Sequence, residues 1–483
     1  MSIEKNNYVD LHCHAAMKPF GKSHNYRPIG RNHPYRSARN SIWKYDPPTL
    51  ADKLLNYVIH LTKFSQSNFT AMAKGGVRVV CVSLYPIEKG FFVNAIKNEF
   101  FRDLLANFAT GVGKARVDTV QGMKNYFKDL QMELDFYRQL DKKVIQLPEG
   151  RFQYQLVHHF GEIETLLVQD RQITTIAVVL SIEGLHVLQS NLDRPPKESE
   201  ILANLRQIKH WDTPPFFVTL AHHFWNHLCG HSKSFTDLVA NNVDQAEGLE
   251  SDITDLGRKV IHQLLDNTQG RRILIDVKHM NPKSRNTYYT LLKNEPAFAA
   301  VPIIVSHGAA NGMRSISQRV TGGSSVANKL NTGDINFFNE ELIMLAKSKG
   351  IFGLQLDERR VASKQTIKNT KHSLIRAKIM HYRSELVWNQ IQHILEVLDG
   401  EGLFAWDCIA LGTDFDGIID PLNAFWTAEE LPYLGDFLER HAYNYMQNAT
   451  FKVAANKIDA DEIVSRVMSL NGLNFLRQHF SAT

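Results

Sequence analysis

Eight short runs rich in Val, Ile and Phe recur along this chain, at residues 8–13, 76–84, 173–182, 216–221, 272–277, 301–306, 350–356 and 408–413. Their apolar positions are continuous rather than alternating, which suits strands buried on both faces of a parallel sheet. Helical patterns separate most of them. Residues 252–267 carry Leu256, Val260 and Leu264 at i, i+4 and i+8 behind a carboxylate-bearing start, and residues 339–347 and 386–398 have a similar pattern. Eight such strands interleaved with helices predict an α/β fold, a closed (β/α)8 barrel of the TIM type. A doubly wound open sheet is the competing architecture. It more often carries a Gly-rich phosphate turn, which this sequence lacks.

A barrel of this kind needs roughly 250 residues. The chain has 483, so long loops must decorate the barrel, and residues 1–483 are expected to form one domain. Candidate insertions lie near residues 15–43, 85–150, 311–334 and 358–383. The first holds Lys18, Lys22, Arg27, Arg31, Arg36 and Arg39 with no acidic residue. If it is the first βα loop, Arg27, Arg31 and Arg36 are expected to cover the barrel mouth and draw in an anionic substrate. A solvated or subunit-contacting arm is the plainer reading.

The balance of 55 basic and 50 acidic residues, +5 overall, is too mild to make nucleic acid the main partner. Cys13, Cys81, Cys229 and Cys408 are far apart and form no CxxC pair, so buried thiols are expected rather than a disulfide framework. The N-terminal residues lack an apolar h-region, and no apolar run approaches the ~18 residues of a membrane span. The expectation is a cytoplasmic protein with no membrane partner. A homo-oligomer is compatible with the sequence.

Metal-type side chains stand where several of the runs end. His12 and His14 close the first run, Glu183 follows the third, His279 the fifth, His307 the sixth and Asp414 the eighth. On a strand, i and i+2 share a face, so His12 and His14 project together while Cys13 points to the other side. Neutral imidazole is a common ligand for zinc and similar ions. One His-x-His pair, or one buried His, is weak on its own; the joint pattern is not. A bare carboxylate after an apolar run needs a hydrogen bond or a metal, and the two oxygens of Glu183 can bridge two cations. His279 and His307 can bind the second of these. Asp414 can accept the proton of an attacking water. Asp416 is expected to be redirected by the turn at Gly417 into a structural role.

Several segments, in order, match a known family. Lys74-Gly75-Gly76-Val77 looks like its KGGV segment, and Thr219-Leu220-Ala221-His222 its TLTH segment. Leu256-Gly257-Arg258 followed by Leu274-Ile275-Asp276-Val277-Lys278-His279 resembles its "FGR…LIDLSH" block. Residues 410–417 are close to its "GxGSDFDG" signature, and residues 471–477 to its C-terminal "GGNFLR". The chain thus resembles the renal (membrane) dipeptidase-like family, peptidase family M19, of the amidohydrolase superfamily. The resemblance implies a barrel with two zinc-type ions bridged by Glu183. His12 and His14 would bind the first ion, and His279 and His307 the second. Asp414 would handle the catalytic water, and His222 would contact the substrate or its tetrahedral intermediate. The chain departs from the pattern twice. Its first-metal pair is His-x-His where the family has His-x-Asp. The Arg-Asn pair that holds a substrate carboxylate is best matched by Ile335-Asn336, with Arg314, Arg319 or the basic first loop as candidate substitutes.

The expected function is a binuclear, metal-dependent hydrolase of a small amide-bond substrate, a dipeptide first. A non-peptide amide, lactam or lactone is the second substrate class. A non-catalytic barrel with a structural metal is the rival from another class, but such a site requires no proton acceptor.

Overall fold

The structure, a computed structural model, describes residues 7–25, 35–60, 62–93, 111–168, 172–235, 243–370, 373 and 375–481. Ten strands form one sheet: β1 (Tyr8–Cys13), β2 (Val77–Leu84), β3 (Ile145–Leu147), β4 (Gly150–Leu156), β5 (Thr174–Glu183), β6 (Phe217–Thr219), β7 (Leu274–Asp276), β8 (Ile304–Gly308), β9 (Ile351–Leu354) and β10 (Ile409–Leu411). The pairing order runs β2-β1-β10-β9-β8-β7-β6-β5, and β2 pairs again with β5. All these pairings are parallel. The ring is therefore the closed eight-stranded barrel that the apolar runs predict, and each run overlaps one of its strands. All six side chains of β1 are buried, as are nine of ten in β5. That is why these runs read as continuous: one face fills the barrel and the other lies under helices.

The remaining two strands, β3 and β4, form an antiparallel hairpin inside and just beyond the second predicted insertion. Phe152, Tyr154 and Leu156 alternate with more exposed neighbours along β4, the period of a half-buried strand. β4 pairs with β5 from Thr174 to Val178, and β6 takes over from Ser181. Because β2 holds the other edge of β5 through the same stretch, β4 and β6 share one edge in succession.

The loops that follow the C-terminal strand ends build the mouth. After β2, Tyr85, Ile87, Phe91 and Phe92 join Val112, Val120, Met123 and Tyr126 in an apolar cluster separate from the barrel core. A buried fork, Arg116 to Asp129 at 2.5 and 2.6 Å, ties this insertion together. In the first insertion, Lys18 turns inward and donates to Asp416 at 2.6 Å. Arg36 corrects an expectation. It lies 3.8 Å from Glu149, in the β3–β4 turn, and its guanidinium stacks on Tyr45 beside Lys74, which precedes β2. That is the N-terminal rim, opposite the mouth, so Arg36 does not cover the site. Its neighbours explain the placement: a carboxylate and an aromatic face both attract a guanidinium. Arg27 and Arg31 lie outside the described residues. All four cysteines are buried and free. Among the described residues, no helix is long and apolar enough to cross a membrane.

Candidate active site

β1 carries Asp10 and His12 toward the barrel axis, and His14 directly follows it. Asp10, buried under the site, accepts from Thr413 N at 2.9 Å and Thr413 Oγ1 at 2.6 Å, which fastens β1 to the chain just after β10. Burial pushes Asp10 up to about 7, against the hydrogen bonds from Thr413 and His12 that favour its charge. One layer above, the ring nitrogens converge on Glu183. His12 Nε2 lies 3.5 Å from its Oε1, His14 Nε2 3.0 Å from its Oε2, His279 Nε2 3.2 Å and His307 Nε2 3.4 Å from its Oε1. Asp414 Oδ1 stands 3.8 Å from His12 Nε2 and 3.7 Å from His14 Nε2. All six of the candidate ligands are thus brought together, and each is at most 5% exposed.

Two of the ring orientations have a specific cause. Ser306 has one hydroxyl proton, and the Asp276 carboxylate takes it. Ser306 Oγ is then left to accept from His12 Nδ1 at 3.1 Å and from His307 Nδ1 at 2.9 Å. A proton on Nδ1 leaves the lone pair of a neutral imidazole on Nε2, and both of these Nε2 atoms face Glu183. Burial, against the pull of Glu183, lowers His12 to about 3, and burial also holds His279 and His307 well below the usual histidine range. His14 is raised instead, because Glu183 and Asp414 outweigh its burial.

Lone pairs facing carboxylate oxygens repel unless a cation lies between them. His307 Nε2 is a buried ring nitrogen with no hydrogen-bond partner among the described residues. Metal–nitrogen bonds of ~2.0–2.1 Å in a tetrahedral shell put neighbouring donors ~3.4 Å apart, the scale of the separations here. His12–His14–Glu183, Glu183–His279–His307 and His12–His307–Asp414 each present donor atoms within 4.8 Å of one another. The residues fit divalent metal.

His222 follows β6 and enters from the side. Its Nδ1 is 2.5 Å from Glu88 Oε2 and its Nε2 3.3 Å from Glu183 Oε2. Burial opposes its charge, but Glu183 and Glu88 push its pKa up to about 10. Glu88 lies in the loop after β2 and also accepts from Phe224 N at 3.1 Å. His222, His186 and this backbone bond outweigh its burial and lower its pKa. Glu88 was missed in the sequence because nothing in Pro86-Ile87-Glu88-Lys89 marks it. His223 was also missed; its Nδ1 lies 2.6 Å from Ser234 Oγ, and it clusters with His222 and His279.

Two further cations reach the site. Lys278, next to His279, is fully buried; burial and Arg360 lower its pKa to about 7, against Asp414, Asp276 and Glu183. Arg360 donates to the Ser234 carbonyl. Arg319, a candidate for holding a substrate carboxylate, is half-exposed and forked onto Asp334 at 2.7 and 3.0 Å. Ile335 is buried, and Asn336 Nδ2 holds the Arg360 carbonyl at 2.8 Å. Asp416 is structural in its contacts: besides Lys18 it accepts from Gln66 N and from Ser67 N and Oγ.

The family profile described as membrane dipeptidase (Peptidase family M19) matches residues 44–456. The chain belongs to the M19 membrane dipeptidase family. It is a metal-dependent, dipeptidase-like hydrolase on a (β/α)8 barrel. Among solved structures it is similar to dipeptidase AC, a metallopeptidase of family M19, with TM-score 0.51 and 12% identity over 99% of this chain and 100% of that one. It is similar also to a metallopeptidase from Rhodobacter sphaeroides liganded with a phosphinate mimic of the dipeptide L-Ala-D-Ala. That match has TM-score 0.51 and 12% identity over 98% of this chain and 99% of that one. No curated protein matches this M19 chain in sequence.

Proposed function

We propose that this M19 hydrolase binds two divalent ions, zinc by default for a His/carboxylate site, and cleaves the amide bond of a dipeptide. His12, His14 and Glu183 would hold one ion, and Glu183, His279 and His307 the other. Such ions supply Lewis-acid polarisation of the scissile carbonyl and an activated water. The observation that carries the reading is the convergence of five imidazole Nε2 atoms, those of His12, His14, His279, His307 and His222, on one carboxylate at 3.0–3.5 Å. The phosphinate dipeptide mimic held by the Rhodobacter sphaeroides enzyme supports a dipeptide as the first probe.

Asp414 acts as the proton acceptor. Burial and the neighbouring Glu183 push its pKa up to about 8, against His14 and Lys278; divalent ions bound beside it would favour the ionised form, which is the one that accepts a proton. His222, charged and anchored by Glu88, donates from Nε2 to the oxygen that gains charge as the carbonyl is attacked. Lys278 and Arg360 make the mouth more cationic than two ligand carboxylates alone would, which suits a substrate that carries a carboxylate. We read the chain as one cytoplasmic catalytic unit.

The test is elemental analysis and turnover on the same preparation. Protein reconstituted with zinc, manganese or cobalt is expected to hold two ions per chain and to hydrolyse members of a dipeptide panel that includes L-Ala-D-Ala. Metal-free protein after reconstitution, or loaded protein inert on every dipeptide, overturns the reading.

A further inference from the structure

Asp414 is gripped from behind by Gln355, which is in turn held by Lys278. Gln355 directly follows β9; its backbone N–H donates to Gly308 O at 2.9 Å, and the residue is buried. Its Nε2 donates to Asp414 Oδ2 at 2.6 Å. Its Oε1 accepts from Lys278 Nζ at 3.2 Å. The two partners fix the sense of this amide. With Lys278 as an ammonium, which only donates, and Asp414 ionised, which only accepts, a flipped carboxamide would set donor against donor and acceptor against acceptor.

The grip falls on one oxygen only. Asp414 Oδ1 has no such tether and stands 3.8 and 3.7 Å from His12 and His14 Nε2, while the tethered Oδ2 is 4.0 Å from His307 Nε2. The Asp414 backbone is left-handed, φ 58°, outside any regular element whose neighbours would orient the side chain. A carboxylate has two equivalent oxygens and a soft terminal torsion; without a tether it is free to turn. A buried lysine is costly unless it has a definite partner, and an apolar pair of similar size would fill the same volume. The polar chain therefore serves orientation rather than packing.

We propose that Lys278 and Gln355 are positioning residues that lock the Asp414 carboxylate, leaving Oδ1 as the oxygen that takes the proton; the proposal rests on the reading of Asp414 as proton acceptor. Gln355 acts on Asp414 directly, and Lys278 acts through Gln355 by fixing its amide.

Two variants test it. Gln355→Leu removes the tether. Lys278→Met/Gln355→Leu removes it without leaving a buried ammonium that lacks its acceptor, and so guards against misfolding. In crystals of metal-loaded protein, either variant is expected to show Asp414 rotated or in two orientations while Glu183 and the four histidines hold their places. A single, unshifted Asp414 carboxylate overturns the proposal, and this readout needs no turnover. With an active dipeptide, Gln355→Leu is expected to lower kcat about 10²-fold, the scale of a misplaced catalytic group, with KM and metal content unchanged. The same substitution is expected to cost nothing more on an Asp414→Asn background, and Lys278→Met nothing more on a Gln355→Leu background. Fully additive losses would mean general packing and sink the idea. If the unmodified enzyme cleaves no dipeptide, the functional reading fails, while the orientation of Asp414 in the crystals still decides this one.

Discussion

Asp414 and His279 both stand in the left-handed backbone region, at φ 58° and 67°. For a residue with a Cβ that conformation costs of order 1–2 kcal/mol, and here it aims two functional side chains off the ends of β10 and β7. Gly417 completes the arrangement, since a Cβ there would lie 1.9 Å from Asp414 Oδ1. Gly417→Ala is therefore expected to displace that carboxylate. kcat should fall while His12, His14, His279 and His307 still hold metal, as elemental analysis beside kinetics would report. Asp414→Asn keeps the shape but removes the acceptor. Its turnover is expected to drop by ~10²–10⁴ with most metal retained, and near-normal turnover would refute the assignment. His222→Ala should also slow turnover with metal content intact, because its ring is anchored by Glu88 and its proposed role is to donate to substrate oxygen rather than to hold an ion.

At the scale of elements, β7 and β8 supply both ligands and the groups that orient them. Asp276 and Ser306 fix the protons of His12 and His307 from one hydroxyl. Ser306→Ala is expected to weaken metal affinity about 10–100-fold, the usual cost of removing such a partner, measurable by competition with a chromogenic chelator. An unchanged affinity would show that the rings are held by packing alone. Farther from the site, Arg285 forks onto Glu341 at 2.6 and 3.0 Å and braces the helix Pro282–Asn294 against the helix Asn339–Lys347. Both side chains are buried. Arg285→Met leaves Glu341 charged and short of partners, so stability should fall by about 3–5 kcal/mol, read as a lower midpoint in urea.

Over the whole molecule, the candidate ligands come from β1 and the residue after it, β5, β8 and the chain after β7 and β10, elements spread around the full ring. Metal bound there joins distant parts of the sequence and favours only the folded state. A chelator is expected to lower Tm, and at 100-fold excess of free ion over Kd the lost stabilisation is about 2.7 kcal/mol. Glu183→Gln should weaken both ions because Glu183 touches every ring, whereas His279→Ala should release mainly one. Calorimetry paired with elemental analysis distinguishes the two, and equal losses from both variants would argue against a bridging Glu183.

The sequence by itself determined the barrel and marked most of its candidate site. Strands buried on both faces leave continuous apolar runs, and a metal ligand at the end of such a run has few other uses. His12, His14, Glu183, His279, His307 and Asp414 were legible for that reason, and His222 through its place in a family motif. The tertiary structure alone decided what depends on closure. Gln355, Glu88 and Ser306 are ordinary polar residues in the sequence. They matter because β9 abuts β10, the loop after β2 crosses to β6, and β8 lies beside β7 within reach of β1. The hairpin β3–β4, which straddles the end of the expected insertion, went unmarked because a short, alternating pair borrows its stability from β5. Arg36 misled because a basic run shows charge but not which rim carries it; the carboxylate of Glu149, distant in sequence, and the ring of nearby Tyr45 drew it to the opposite end.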